Sequence, residues 1–596
     1  MQHGRTLPHS DRLAPSASVA SIAVLTLSAV FLLSPDPAIA QEAVEAGGAD
    51  VHGSRAGAAY FADHQRASDA YQAGAYGDAA PLLESLTRRS PGDALLWYRL
   101  GRSREELGRP AAAAEAYGVA LGLGFRFEGW LSRRVAQLHA GAGRPDSAIA
   151  WLERALEEGH ERGGMAKDPA FELLYGDPRF IRLTGEPEHA LTRDEGWRFD
   201  IDHLVAEARR MHSEPDAPAF SAAFDSAAAA LRERVPELTN DRIVVELGRL
   251  MTLLGDGHTG IYGPGEDTPL TFASGELPVL FYLFDDGLHV VDAAGEARRW
   301  IGAKVRRFGD RPAEEILAEL PSYVHQDNPM TVRWLGIHFT LRSTALLEAL
   351  GATDDPSRVE LTLVDSAGTE HRVALRTDDA IGHDFRRKLR PPGNADDAPL
   401  YLRQVEDPYW LAPLPRAEAL YWQFNQVRDR EDEPTIAQFA DTLRVALERT
   451  GARNLVVDVR HNNGGNNGLL RPLVRTLVWW EMGDPDRRIF VIMGRNTFSA
   501  AQNFLNRVER WTNAVFVGEP SSSRPNFSGE ETSLVLPYSR VRGSISNHYW
   551  QDSDPDDERR WIPPQVPVTL SSKDYFANRD PALDAVLRII RGQANP

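Results

Sequence analysis

Two stretches decide how this chain is read: residues 454–468, NLVVDVRHNNGGNNG, and residues 489–504, IFVIMGRNTFSAAQNF. Each opens as an apolar run of strand type, 455–457 and 489–492, and ends in turn-forming residues. After the second run the period changes. Ala501, Phe504, Leu505 and Val508 recur at helical spacing, which predicts a helix from about Ser499. Ser499 thus stands where a loop gives way to a helix N-terminus. Main-chain N–H groups are unpaired there, and the helix dipole favours an anion. A serine in that place also reads as a plain N-cap. The loop Asn462-Asn463-Gly464-Gly465 reads in two ways as well. It is a simple strand-to-helix turn, or a source of glycine N–H donors for an oxyanion.

Together the stretches resemble the core of the C-terminal-processing and tricorn-type serine peptidases. That family carries a strand ending in D-x-R-x-N-x-G-G and a second strand leading to T-x-S-A. Here these are residues 458–465, DVRHNNGG, and 497–500, TFSA. A third match, LGDGHTG at 254–260, lies where the family places a D-x-H-T element. The resemblance implies a crotonase-like spiral of ββα units, with Ser499 as nucleophile and proteins or peptides as substrates. It implies an oxyanion hole from the N–H groups of Ala500 and of Gly464 or Gly465. It implies no cofactor.

Bulk properties narrow the field. The 596 residues suffice for several domains. A net charge of −19 argues against a nucleic-acid or anionic-membrane surface. With no cysteine, disulfides and thiolate metal sites are excluded. There is no H-E-x-x-H and no histidine cluster, so no metal is expected. Residues 1–40 read as a secretory signal: Arg5 and Arg12, an apolar stretch at 19–33, and Ala38-Ile39-Ala40 before Gln41. The expectation is cleavage after Ala40, export (most simply to a periplasm) and no stable membrane span. Residues 41–65 read as a flexible lead-in.

Residues 66–187 carry an internal repeat. Gly74, Gly108 and Gly143 are 34 and 35 apart, each followed five residues on by Ala79, Ala113 and Ala148. With WYRLG at 97–101, this resembles the tetratricopeptide pattern. Such repeats stack into a concave platform, so a protein partner is expected there. Residues 188–265 keep a helical period and run into His258. Residues 266–385 read as a β-rich, PDZ-like insert. Residues 386–596 alternate strand and helix, which predicts an α/β core with a mainly parallel sheet. The fold class expected is therefore multidomain, helical repeats followed by an α/β peptidase core.

A serine hydroxyl needs a base. In C-terminal-processing members this is a lysine six residues after the glycine of G-E-P. Here that motif is Gly518-Glu519-Pro520 and the sixth position is Arg524, which stays protonated. Tricorn-type members use a histidine backed by a carboxylate. The resemblance assigns the base to His258, although a turn histidine closing a helix reads equally from the residues. The carboxylate is expected before Pro563-Pro564, as Glu558 or alternatively Asp557, within an acidic run that also reads as a solvated loop. The rival expectation is an inactive peptidase-fold binding or scaffold protein.

Overall fold

A computed structural model describes residues 55–125, 130–214, 220, 222–377, 389, 392, 397–430 and 434–592. The signal-like residues 1–40 lie outside the described residues. Among the described residues no helix is long and apolar enough to cross a membrane.

The chain begins as antiparallel helix pairs: Arg55–Gln72 with Tyr76–Arg89, Ala94–Glu106 with Pro110–Gly122, and Trp130–Gly141 with Pro145–Glu157. The repeated glycines make the tight turns inside each pair. Gly74, Gly108 and Gly143 all have φ near +70°, a conformation that glycine adopts without steric cost. The repeated alanines Ala79, Ala113 and Ala148 are fully buried where helices meet. The first helix reaches back to Arg55, into the stretch expected to be a lead-in. It does so because Ala67 and Tyr71 are buried against the helix that follows.

The last repeat is tied to what comes next. Arg162 donates to Glu207 at 2.8 Å, and Arg210 donates to the carbonyls of Leu156 and His160 at 2.6 and 3.0 Å. Three helices then follow, Arg193–Met211, Ala222–Arg234 and Asn240–Thr252.

Fifteen strands follow among the described residues. They are β1 Gly260–Pro264, β2 Val279–Phe284, β3 Gly287–Ala293, β4 Lys304–Phe308, β5 Arg311–Pro312, β6 Arg358–Val364, β7 Glu370–Arg376, β8 Tyr409–Leu414, β9 Ala419–Phe424, β10 Asn454–Asp458, β11 Arg488–Met493, β12 Val515–Gly518, β13 Asn526–Val535, β14 Val541–Gln551 and β15 Val566–Pro567. Strands β2-β3-β4-β6-β7, with β5 on β4, form one antiparallel sheet in the β-rich insert. A second, three-stranded sheet has the order β1-β14-β13. It joins the upstream segment to the C-terminal part across nearly 300 residues of sequence, pairing Gly260 with Ser544.

The third sheet has the order β15-β12-β11-β10-β9-β8, parallel except for β8. Its central strands β9, β10 and β11 are buried on both faces, as a covered parallel sheet requires. Leu455, Val457, Val491 and Met493 face the helices Ile436–Thr450, Arg471–Met482 and Ala500–Trp511. Val456, Phe490, Ile492 and Val517 face the last helix, Pro581–Ile590.

The last helix is fixed by charge as well as by apolar contact. Arg460, just after β10, donates to Asp458 at 2.6 Å and through both terminal nitrogens to Asp580 at 2.9 and 2.7 Å. Asp580 also caps the helix by accepting from Leu583 N–H at 3.1 Å. Asp458 and Asp580 are buried. Removing the shared cation strands two carboxylates in the core. Arg460→Ala is therefore expected to cost about 3–5 kcal/mol, read as a drop in the urea midpoint. An unchanged midpoint would contradict this account of the tie.

Candidate active site

Parallel pairing of β10 with β11 puts Asp458 beside Ile492 and delivers both diagnostic loops to the same sheet edge. The loops are stitched together there. Thr497 Oγ1 donates to Val459 O at 3.0 Å, and Phe498 N–H to Asn462 O at 3.1 Å. Gly464, at φ +102°, then lies directly on the turn that carries Ser499. A methyl group added to it would stand 2.8 Å from Ser499 Cβ and 2.9 Å from Ala500 N.

Ser499 is not a capping serine. The helix begins at Ala500, and the Ser499 side chain accepts no capping hydrogen bond. Its backbone is at φ +56°, ψ −124°, a conformation costly for any residue but glycine. A sharp strand-to-helix turn of this kind is one way to project a nucleophilic hydroxyl. The turn is held by Ser499 N–H donating to Ser523 Oγ at 3.0 Å. The Gly464 N–H is engaged by Asn462 Oδ1 at 3.0 Å. The N–H groups of Ala500 and Gly465 enter no hydrogen bond among the described residues.

His258 lies on this turn. Its ring stacks on Phe498, the residue before Ser499, with centroids 4.4 Å apart, and on Phe527 at 5.6 Å. Asp256 shapes the stretch that presents it. Its Oδ1 accepts from His258 N–H at 2.9 Å, Thr259 N–H at 2.7 Å and Ser546 Oγ at 2.7 Å. Its Oδ2 meets His212 Nε2 at 3.0 Å. Both ring nitrogens of His258 are buried without a hydrogen bond of good geometry, the Ser528 main chain being the group that draws on the ring. Burial pushes the ring down to about 4, against the pull of the Asp256 charge and with that of His325. The imidazole is therefore neutral at ordinary pH.

Neither expected carboxylate meets it. Asp557 accepts from Ser553 Oγ at 2.7 Å and from the Arg559 guanidinium at 2.8–2.9 Å, which holds it down to about 2. Glu558 is exposed. The acidic run keeps its charges by pairing with arginine or facing water, and neither Glu558 nor Asp557 forms a hydrogen bond to the His258 ring here. Arg524, in the position of the family's lysine, is exposed and donates through Nε to Asp327 O at 3.0 Å.

Two pairings were missed in the sequence, those of the half-buried Glu519 and the buried Asp327. Glu519 of the G-E-P motif pairs with Arg495 at 2.9 Å, and Arg495 donates on to Leu283 O at 2.7 Å, tying the core to β2. Asp327 is buried, and its Oδ1 accepts from Gly257 N–H at 2.7 Å. Its place in the sequence, 70 residues from Gly257, carries no local signal.

Comparison with known proteins agrees with parts of this picture. A tetratricopeptide repeat family model matches residues 64–124. No curated protein matches the chain. Among solved structures, mature CPAF is similar at 13% identity, over 67% of this chain and 99% of its own, with a TM-score of 0.48. The photosystem II D1 C-terminal processing protease is similar at 12% identity, over 68% and 98%, with a TM-score of 0.33. A putative S41 protease from Bacteroides fragilis is similar at 12% identity, over 69% and 100%, with a TM-score of 0.31.

The contact between Gly464 and the Ser499 turn generates a test. Gly464→Ala is expected to lower the rate of labelling by a serine-directed fluorophosphonate about 10²-fold or more, by displacing the turn. Gly468→Ala, whose added methyl would meet only the Asn466 side chain at 3.1 Å, should leave the rate within a few-fold. Equal rates for the two variants would show that the close approach is not needed.

Proposed function

We propose that this chain is an exported serine-type peptidase that hydrolyses peptide bonds through an acyl-enzyme on Ser499. The observation that carries the reading is the left-handed Ser499 turn at a helix start, with Gly464 pressed on it and a neutral His258 stacked on the adjoining Phe498. In the proposed reaction Ser499 Oγ attacks the scissile carbonyl carbon and its proton passes to a ring nitrogen of His258. The oxyanion takes hydrogen bonds from Ala500 N–H and from Gly465, or from Gly464 once it leaves Asn462. The C–N bond then breaks, the amine leaves with the proton from His258, and water hydrolyses the ester by the same route. The tetratricopeptide repeats would recruit large substrates or a protein partner. Export rests on the basic, apolar and A-x-A order of residues 1–40.

A second reading has one observation behind it. No hydrogen bond joins Ser499 to His258, whose ring nitrogens make none of good geometry. A binding or scaffold protein on a peptidase fold would tolerate that, although catalytic hydrogen bonds are often formed only around substrate. Fluorophosphonate labelling and cleavage of fluorescein-labelled casein separate the two readings. Ser499→Ala should abolish both signals, and His258→Ala should cost about 10³-fold or more. Because His258 must be neutral to accept the proton, the limb that belongs to it should fall on acidification through about pH 4. An unlabelled wild-type protein would favour the binding reading, and unchanged casein cleavage by Ser499→Ala would remove the nucleophile assignment.

A further inference from the structure

The short segment from Asp327 to Thr331 grips both halves of the candidate site. On one side Asp327 Oδ1 accepts from Gly257 N–H at 2.7 Å, immediately before His258. On the other, its carbonyl accepts from Arg524 Nε at 3.0 Å, and Asn328 Nδ2 donates to the carbonyls of Ser521 and Arg560 at 3.2 and 2.8 Å. Thr331 Oγ1 donates to Ser522 O at 2.7 Å. The loop so held carries the Ser499 turn, through Ser522 N–H to Thr497 O at 2.9 Å and Ser499 N–H to Ser523 Oγ at 3.0 Å.

A buried carboxyl is expected to use both oxygens. Asp327 does not. The residue is 4% exposed, and its Oδ2 makes no hydrogen bond of good geometry, although the Ser523 hydroxyl draws on the carboxyl. Among the described residues the unpaired buried atoms around the site also include both ring nitrogens of His258, Asn462 Nδ2, Gln502 Oε1 and Asn503 Oδ1. Asp327 and His258 converge around Gly257 and Phe498. A methyl added to Gly257 would stand 2.9 Å from the Phe498 ring and 3.2 Å from Asp327 Cγ, and the same ring stacks on His258.

We propose that Asp327 is the positioning carboxyl of this site, spacing the His258 turn from the Ser499 loop and, once ionised, stabilising the imidazolium formed when His258 takes the serine proton. The inference rests on the peptidase reading and gives Asp327 the part expected of Glu558 or Asp557.

The charge balance around it sets a pH response. Burial and the Asp256 charge push Asp327 up to about 7, while Gly257 N–H, the Ser523 hydroxyl and Arg524 pull the other way. His325, from the same segment, spends Nδ1 on Gly257 O at 2.7 Å. Asp327 is thus a neutral acid at pH 5 and a carboxylate at pH 8.5. A negative charge favours the protonated form of a neighbouring histidine, so the rate should climb through about pH 7, well above the limb that belongs to His258.

Asp327→Asn keeps an acceptor for Gly257 N–H and loses the charge. The wild-type to variant ratio of fluorophosphonate labelling rates is expected to stay within a few-fold at pH 5 and to reach about 10²-fold at pH 8.5. The limb near pH 7 should vanish from the variant. Asp327→Ala, which also loses the acceptor, should be slow at both pH values. Burial and the Asp256 charge also push Glu531 up to about 7, so infrared difference spectra should show a protonated-carboxyl band lost across the limb in both wild type and Glu531→Gln. A ratio for Asp327→Asn that does not change with pH, or a limb with no carboxyl band, overturns the role of Asp327 and leaves the peptidase reading standing. A wild-type chain unlabelled at every pH overturns both.

Discussion

The site depends on one steric constraint, the seating of Gly464 on the turn that carries Ser499. No side chain fits between them. The contact exists because β10 and β11 are neighbours in a parallel sheet, so the loops leaving their C-terminal ends meet at one edge. Ligand sites in open α/β sheets commonly form at that edge. The positive φ of Ser499 is sustained by hydrogen bonds from both sides of the loop. Phe498 extends the arrangement. Its ring packs in the apolar core of the β-rich insert and against Trp334, yet the next residue is Ser499. One aromatic side chain thereby locks the insert, the serine turn and the histidine turn into a single unit.

Buried ion pairs hold the remaining freedom in check. Arg460 joins β10 to the terminal helix, and Arg495 joins the loop after β11 to Glu519 and to β2. Such pairs return little net stability against their desolvation, but they are unforgiving of misplacement. In both cases the pairing residue flanks a loop of the site. The D-x-R and G-E-P motifs, read in the sequence as marks of a reaction, are here the anchors of its scaffold.

What could be read from the sequence follows from how local the signal was. The strand at 455–457 and the glycine–alanine repeat were both legible, because period and turn chemistry act over a few residues. Ser499 at a helix start was equally legible. Strands β13 and β14 were not. Asn-Phe-Ser-Gly-Glu-Glu-Thr alternates poorly, and its pairing is set by β1 and by the helical layer behind it. Asp327 was invisible for a related reason. Its partners are Gly257 and the 521–524 loop, 70 and nearly 200 residues away. Which of Glu558 and Asp557 pairs with Arg559 was equally illegible, because an acidic run announces charge without saying which arginine will claim it.

The repeats are less detached from the chemistry than stacked helices usually are. They bury their own apolar clusters, as quasi-one-dimensional repeats do. Their last turns nevertheless reach the sheet that borders the site. Gly163 lies against Val535 at the end of β13, and Glu186 pairs with Arg540 at 3.0 Å in the turn that follows. The other end of β13 presents Phe527 to the His258 ring. A single ten-residue strand thus spans from the platform expected to hold a partner to the histidine proposed as base. Spatial continuity of this kind is not evidence of a signal.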